Sequence, residues 1–352
     1  MAYTDIDKPS DYFETKLYTG NAGTLNVTGL DFQPDWVWIK NRTSDYTHGL
    51  YDSVRGAGSS KGIYSNTNEA EGTNSAFQNL TSFNSDGFSL GSTSNTNVIN
   101  TNSQNHVSWN WVAGTSFTND ASATGIGSID STGSVNTDAG FSIVSYSGNS
   151  TAGATIAHGL GATPKMMIVR KRNSAENWLV YHASTGNTGA TLLNGTNAFF
   201  EDNMWNSTSP TSSVFTVHGD DGANGSGGNY IAYCFTDVKG YSKFSSYIGN
   251  GNADGAFVYT GFKSAFVMIK KTSGTGNWCL FDNKRGVNGA MIQLNPDVNN
   301  ADNTSNYIDF LSNGFKCRNT ASDKNASGGS YIYMAFAENP FVTSTGVPAT
   351  AR

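Results

Sequence analysis

A carboxylate and an arginine recur at a fixed spacing and are the first candidates for acid-base chemistry. The motif Asp-x-x-Arg-Gly occurs twice, with Asp52 and Arg55 in one copy and Asp282 and Arg285 in the other. A carboxylate could act as acid or nucleophile on a sugar, but this chemistry requires a second carboxylate about 5–10 Å away. The alternative is a turn at the end of a strand, tied by an ion pair.

The rest of the sequence favours the turn. A third stretch of similar sequence has His182 and Thr185 where the motif would place its Asp and Arg, so one copy dispenses with the pair. Glu69 and Glu71 lie in a polar loop, without the apolar surroundings of a catalytic acid. The sequence also lacks a GxSxG motif and a phosphate-binding glycine loop with its lysine. We therefore expect no enzymatic activity and no catalytic residues.

The histidines and cysteines predict neither a metal site nor a cofactor. The histidines show no HxH or HExxH spacing: His48, His106, His158, His182 and His218. His48 takes the position of Trp178 and Trp278 in similar stretches, which indicates packing or a surface position. Residues 218–225 could form a calcium loop, but a hairpin loop is favoured because the carboxylate spacing of an EF-hand is absent. The cysteines lie singly in strand-like stretches and are expected to be buried, reduced thiols: Cys234, Cys279 and Cys317.

Two Trp-x-Trp pairs are candidates for stacking on sugar rings. Trp36 and Trp38 point to the same side of an extended strand, and Trp109 and Trp111 form the second pair. The corresponding residues elsewhere in the chain are apolar, which favours core positions. No receptor-binding or glycan-binding residue is assigned from the sequence.

Composition indicates many short strands joined by turns. Gly and Asn each supply 40 of 352 residues, aromatic residues make up 12% and charged residues only 14%. A net charge of -6 without a Lys/Arg cluster argues against binding nucleic acid or an anionic membrane surface. No apolar run reaches the roughly 18–20 residues that span a bilayer. The first residues contain acids and no apolar signal region, so we expect synthesis in a cytoplasm.

The chain contains a threefold internal repeat. Residues 36–40, 166–170 and 266–270 each read as an apolar strand that ends in a cation, and their offsets of 130 and 100 residues persist without a gap through the following strand. Each unit closes on an aromatic strand. The sequence therefore predicts an all-β fold of three tandem antiparallel β-sandwiches, each of about 100 residues and of jelly-roll or lectin-like type.

The repeat also sets the expected domain limits. Ile39, Val169 and Ile269 should lie at equivalent buried positions of the three units. Because residues 116–139 are rich in Gly, Ser, Thr and Ala, they are interpreted as a linker or a long surface loop. The expected domains are an N-terminal arm (1–11), repeat 1 (12–115), the linker (116–139), repeat 2 (140–243), repeat 3 (244–345) and a C-terminal arm (346–352).

Several stretches resemble a three-repeat family encoded by marine tailed phages. They are MAYTDIDKPSDYFETKLYTGN, WVWIKNR, YDSVRG, SYIGNGNADGAFVYTGF and YIYMAFAENPFVTSTGVPATAR, and the resemblance covers essentially the whole chain. It implies a virion structural protein, either tail-fibre-like or head-decorating, with other virion proteins as partners. It implies no reaction.

Two function classes follow as expectations. The first is a non-enzymatic virion protein, for which a fibre or receptor-binding role, with a host surface glycan as a possible target, is favoured over capsid decoration. The second is a carbohydrate-binding module or glycan hydrolase, which rests on the analogy between sandwich folds. Since sandwich units leave strand edges that symmetric assembly often covers, we expect a homo-oligomer, with a trimer favoured and both arms in contacts.

Overall fold

The computed structural model describes residues 4–73, 79–92, 98–286, 291–304 and 307–349. The prediction of an all-β fold is confirmed, because antiparallel sheets dominate these residues. The described helices are single turns: the 3-10 helices Pro9–Asp11 and Ser59–Lys61, and the α-helices α1 (Ala121–Thr124) and α2 (Ser322–Asn325). None of the described helices is long and apolar enough to cross a membrane.

We divide the chain into a first segment (β1 to β7), a middle segment (β8 to β17) and a last segment (β18 to β24). The first segment carries two sheets. Its four-stranded sheet has the order β1 (Phe13–Thr19), β7 (Asn105–Trp111), β3 (Trp36–Asn41), β4 (Gly49–Asp52). Its three-stranded sheet has the order β2 (Leu25–Thr28), β6 (Gly87–Leu90), β5 (Leu80–Asn84). The two-residue turn at residues 85–86 joins β5 to β6.

The middle segment carries an eight-stranded and a two-stranded sheet. The larger has the order β15 (Phe200–Glu201), β14 (Gly186–Leu192), β13 (Leu179–His182), β12 (Met166–Lys171), β17 (Asn229–Phe235), β10 (Phe141–Ser147), β9 (Ser131–Asn136), β8 (Thr115–Asn119). The smaller pairs β11 (Ala154–Ala157) with β16 (Val214–Val217).

The last segment repeats the division of the first. Its four-stranded sheet has the order β18 (Ser242–Ile248), β24 (Ser330–Pro340), β20 (Phe262–Lys271), β21 (Cys279–Asp282). Its three-stranded sheet has the order β19 (Phe257–Tyr259), β23 (Gly314–Cys317), β22 (Ile308–Leu311).

Four strands follow the same order in every segment: β1-β7-β3-β4, β10-β17-β12-β13 and β18-β24-β20-β21. We call these the inner sheets and the smaller sheets the outer sheets. The positions singled out in the repeat correspond in register. Ile39, Val169 and Ile269 are all buried in the third strand of their inner sheets. Each lies opposite the first residue of the fourth strand.

One apolar core joins the three inner sheets. It is largely aromatic, and rings from different segments are in contact: Trp36 stacks on Tyr233 at 4.4 Å, and Phe13 stacks on Phe336 at 5.2 Å, both between ring centroids. Three further cores lie between each inner sheet and its outer sheet. Burial of this much aromatic surface is the main stabilising contribution, and the core contains residues of all three segments.

The interpretation of residues 116–139 as a linker is wrong. They contribute to β8 and contain α1 and β9, and β9 pairs with residues 141–146 of β10, the first strand of the middle inner sheet. Asp120 caps α1 by accepting hydrogen bonds from the amides of Ser122 and Ala123, and Gly125 ends it with a left-handed φ of 69°. Ile129 is buried in the core between the middle inner sheet and its outer sheet, and Phe117 and Val135 pack against that core.

The terminal arms pack on the chain itself where they are described. The Thr4 hydroxyl and the Asp5 amide both bond the carbonyl of Lys239, and Ile6 is buried. The Asp7 carboxylate accepts hydrogen bonds from the amide and hydroxyl of Ser344, so the two ends of the chain meet.

Candidate functional site

Both copies of the Asp-x-x-Arg motif form buried ion pairs. Arg55 Nε lies 2.5 Å from Asp52 Oδ2, Arg285 Nε lies 2.6 Å from Asp282 Oδ2, and all four side chains are fully buried. The arginine amide also donates to the other carboxylate oxygen, which closes the turn. These contacts are the ones expected for a turn that is tied by an ion pair at the end of a strand.

A second carboxylate lies beyond each arginine. Arg55 Nη1 is 3.1 Å from Glu71, and Arg285 Nη1 is 2.8 Å from Asp302. In each case one guanidinium lies between the two carboxylates. A second arginine pairs with the outer carboxylate: Arg172 with Glu71 and Arg42 with Asp302, both at 2.8 Å. Burial alone would lower the pKa of Arg55, but the Asp52 carboxylate and its neighbours raise it above the ordinary value. A fully buried carboxylate held in this way has no open side for a sugar.

The motif carboxylates also join neighbouring segments. The Tyr233 hydroxyl of the middle segment donates to Asp52 Oδ2 at 2.7 Å. In the same way Trp109 Nε1 of the first segment donates to Asp282 Oδ2 at 3.0 Å. We call the three boundaries between segments the seams. The motif therefore contributes to two seams, the first–middle and the first–last.

The third seam, between the middle and last segments, has a histidine in place of the motif aspartate. His182 takes the place of the motif aspartate, accepts the Ser184 amide at Nδ1, and places Nε2 3.3 Å from the carbonyl oxygen of Tyr333. Register puts Met334 where the other two segments have Trp109 and Tyr233, since these residues lie opposite Met268, Trp38 and Ile168. Methionine offers no hydrogen bond to a carboxylate. The histidine therefore occurs where the donor across the seam is missing.

The cations one residue before the end of β3, β12 and β20 belong to the seams as well. Lys40 donates to the Asn299 carbonyl of the last segment at 3.0 Å, and Lys270 donates to the Gly195 carbonyl of the middle segment at 3.0 Å. Arg170 Nη2 donates to the Glu69 carbonyl of the first segment. All three cations are buried. These contacts run from first to last, from last to middle and from middle to first, so the seams close a ring.

Indole and imidazole groups repeat this ring. Trp178 Nε1 donates to the Tyr64 carbonyl and Trp278 Nε1 to the Leu192 carbonyl, both at 2.8 Å. His48, at the corresponding position, places Nε2 3.0 Å from the carbonyl oxygen of Asn295 and receives Trp38 Nε1 at its other ring nitrogen. His48 is thus a buried packing residue.

The other histidines form no metal-like cluster. Burial lowers the pKa values of His106, His158 and His182 to about 4, so these rings are neutral near pH 7. Within the part of the chain that the structure describes, no group of three or more His, Cys, Asp and Glu could hold a metal ion. In the loop 218–225, His218 contacts Asp220 at 2.6 Å and Asp221 pairs with Lys171.

The predicted thiols and tryptophans are core residues. All three cysteines are free and buried, and burial raises the pKa values of Cys234 to about 12 and Cys317 to about 11. The two Trp-x-Trp pairs lie fully buried in the central core, as the sequence favours. The half-exposed aromatic side chains are instead Phe257 and Tyr259. The sequence Phe-Val-Tyr does not mark them, because all three residues are apolar, and in the strand only the valine faces the core.

A polar groove of about 740 Å³ lies beside β8, β9 and β10. It holds two carboxylates, but Asp120 caps α1 and Asp130 accepts the Ala121 amide. Its aromatic side chain, Tyr146, is buried and bonds the Ala223 carbonyl. The groove therefore lacks both a free carboxylate pair and an exposed stacking surface.

These features define an all-β protein whose antiparallel sheets are locked around one aromatic core by buried ion pairs. The chain belongs to the family described as domain of unknown function DUF7483, which matches residues 8–340. No curated protein and no solved structure matches the chain.

Proposed function

We propose that the chain is a non-enzymatic structural protein of a bacteriophage virion, made in the host bacterial cytoplasm. Its role is tail-fibre-like or receptor-binding, with capsid decoration as the alternative. In this proposal the segments are three sandwich repeats of about 100 residues, each made of one inner and one outer sheet. Strands before residue 140 enlarge the second repeat. The resemblance of the sequence to a phage family supports the virion assignment.

One observation carries the absence of enzymatic activity in this proposal. The recurring Asp-x-x-Arg motif, which has the residue types of an acid or nucleophile, is fully buried and occupied by contacts across the seams. A protein whose charged residues join its own parts suits a particle component that must keep its shape. The exposed pair Phe257 and Tyr259 favours a carbohydrate-binding module as the second candidate, rather than a glycan hydrolase.

The location is tested on purified virions. An antibody to the chain should label the tail or the head in negative-stain images, and the chain should be found in the purified particles by mass spectrometry. A chain that is abundant in the lysate but absent from purified particles would refute the proposal.

The partners we propose are other virion proteins and copies of this chain, with a trimer as the favoured oligomer. Light scattering on the purified chain, with and without residues 1–11, should give a mass above that of one chain. A stable monomer whose arms are cleaved by protease without consequence would contradict it.

A further inference from the structure

The outer sheet of the last segment exposes aromatic side chains on its solvent face. In β19, Phe257 and Tyr259 are 48% and 54% exposed, whereas Val258 between them is buried in the core. Leu311 of β22 lies on the same face, across Gly314 from Tyr259, and is 36% exposed. Three of the eight large apolar residues exposed within the described chain thus share one small face. Scattered apolar residues need no explanation, but a cluster does.

The corresponding faces of the other segments are polar or covered. In the first segment the register places Asn26 and Thr28 at these positions, opposite Ser89 and Gly87. In the middle segment the positions belong to Thr155 and Ala157. There the Ser128 amide and the Ser131 hydroxyl bond their two carbonyls and cover the strand. The fold therefore does not require aromatic residues here.

The two rings form an aromatic platform on the sheet. A Cβ at Gly314 would lie 2.1 Å from the Val258 carbonyl oxygen, so the close approach of the two strands requires glycine here, and the edge of the Phe257 ring lies 3.1 Å from the same position. Lys243 Nζ lies 5.4 Å from the Tyr259 ring centroid and 3.4 Å from the Tyr259 carbonyl oxygen. Since residues i and i+2 of a strand share a face, the two side chains are roughly 7 Å apart.

Polar groups of both signs surround the platform. Lys316, directly opposite Phe257, pairs with Asp254 at 2.6 Å. Arg318 pairs with Asp309 at 3.0 Å. Asp254 is 77% exposed. Donors and acceptors therefore border the apolar rings. A sugar requires both kinds of contact, because its C–H faces pack on aromatic rings and its hydroxyls need charged or polar partners.

The size of the face decides between a sugar and a protein. Three strands of three or four residues cover on the order of 150 Å², whereas a stable protein interface buries about 800 Å² on each partner. Addition of a strand at the β19 edge is also hindered, because Lys243 occupies the Tyr259 carbonyl. A chain of a few sugar rings is small enough for this face and does not need the strand edge.

We propose that the solvent face of β19, β23 and β22 binds a carbohydrate chain, with Phe257 and Tyr259 stacking on its sugar rings. The inference deepens the proposed attachment role and rests on it for its biological meaning. Binding is nevertheless measured on the purified chain, so its failure would leave the virion location untouched.

The test uses a printed array of bacterial surface glycans together with affinity electrophoresis in gels containing dextran, laminarin, xylan or alginate. We expect the wild-type chain to bind at least one of these probes. The double variant Phe257→Thr, Tyr259→Thr should weaken that binding about tenfold or more, since two stacking contacts are lost. Both side chains are half exposed, so the variant should keep the thermal unfolding profile of the wild type.

The matched control changes the corresponding positions of the first segment, Asn26→Ala with Thr28→Ala, and should bind as the wild type does. No binding to any probe would overturn the inference, as would unchanged binding by the double variant. A wild-type dimer that dissociates in the double variant would identify the face as a protein interface and would also overturn it.

Discussion

Replacing Asp52 by Asn should destabilise the fold far more than the loss of a surface ion pair. Arg55 is fully buried. Removal of the Asp52 charge therefore leaves the positive guanidinium without its main partner and without water to solvate it. Breaking a buried pair costs about 3–5 kcal/mol. Glu71 stays 3.1 Å from Arg55 and keeps part of the neutralisation. We therefore expect the free energy of unfolding to fall by about 3 kcal/mol, measured by urea unfolding with tryptophan fluorescence.

Asp11→Asn is the matched control. Lys8 and Asp11 have the same three-residue separation as the motif pair, but their side chains are 61% and 48% exposed, so we expect no measurable change. A second variant, Tyr233→Phe, removes the hydrogen bond across the seam to Asp52. The double variant should be non-additive by about 1 kcal/mol. A loss of less than about 1 kcal/mol in Asp52→Asn, or strict additivity with Tyr233→Phe, would refute the seam as described.

Three other outcomes are expected. Burial lowers the pKa of Lys40 to about 7, so the unfolded chain binds more protons between about pH 7 and pH 10, and unfolding free energy should rise with pH in that window. In Lys40→Met this rise should be smaller, and equal slopes would contradict it. Replacing residues 115–138 by a short Gly-Ser linker should uncover β10 and cause self-association on size exclusion; a soluble, unaggregated product would argue against this role. Ellman's reagent at pH 8 should react with no cysteine until the chain unfolds, because all three thiols are buried; rapid labelling of the native chain would show otherwise.

The strands of the inner sheets were predictable because apolar residues repeat in register. Residues 36–40, 166–170 and 266–270 all form the third strand of an inner sheet. Their cations were also visible in the sequence, but a cation at the end of a strand suggests solvent, whereas Lys40, Arg170 and Lys270 are buried at seams. Each of them donates to a carbonyl in a loop of another segment. Such loops have no periodic pattern that a sequence could display.

Residues 116–139 show where composition misleads. Gly, Ser and Thr are typical of linkers, yet β8 and β9 use them as strands that add to an existing sheet. Backbone hydrogen bonds to β10 supply the partner that the side chains alone do not specify. Conversely, Phe257, Val258 and Tyr259 are all apolar, so the sequence does not show that only Val258 lies in the core and that the other two face solvent. Only the sheet they join decides which side of the strand is covered.

The exception in the repeated motif has its explanation across a seam. Alignment of the segments shows His182 where the other two copies have Asp. From the sequence alone, this difference indicates only that the position accepts another residue. The structure relates this departure to Met334, which replaces a hydrogen-bond donor in the neighbouring segment. A buried carboxylate needs such a donor, and a neutral imidazole does not carry the same requirement. Two departures that lie 152 positions apart are therefore one adjustment of a single contact, and the motif is retained wherever its partner is.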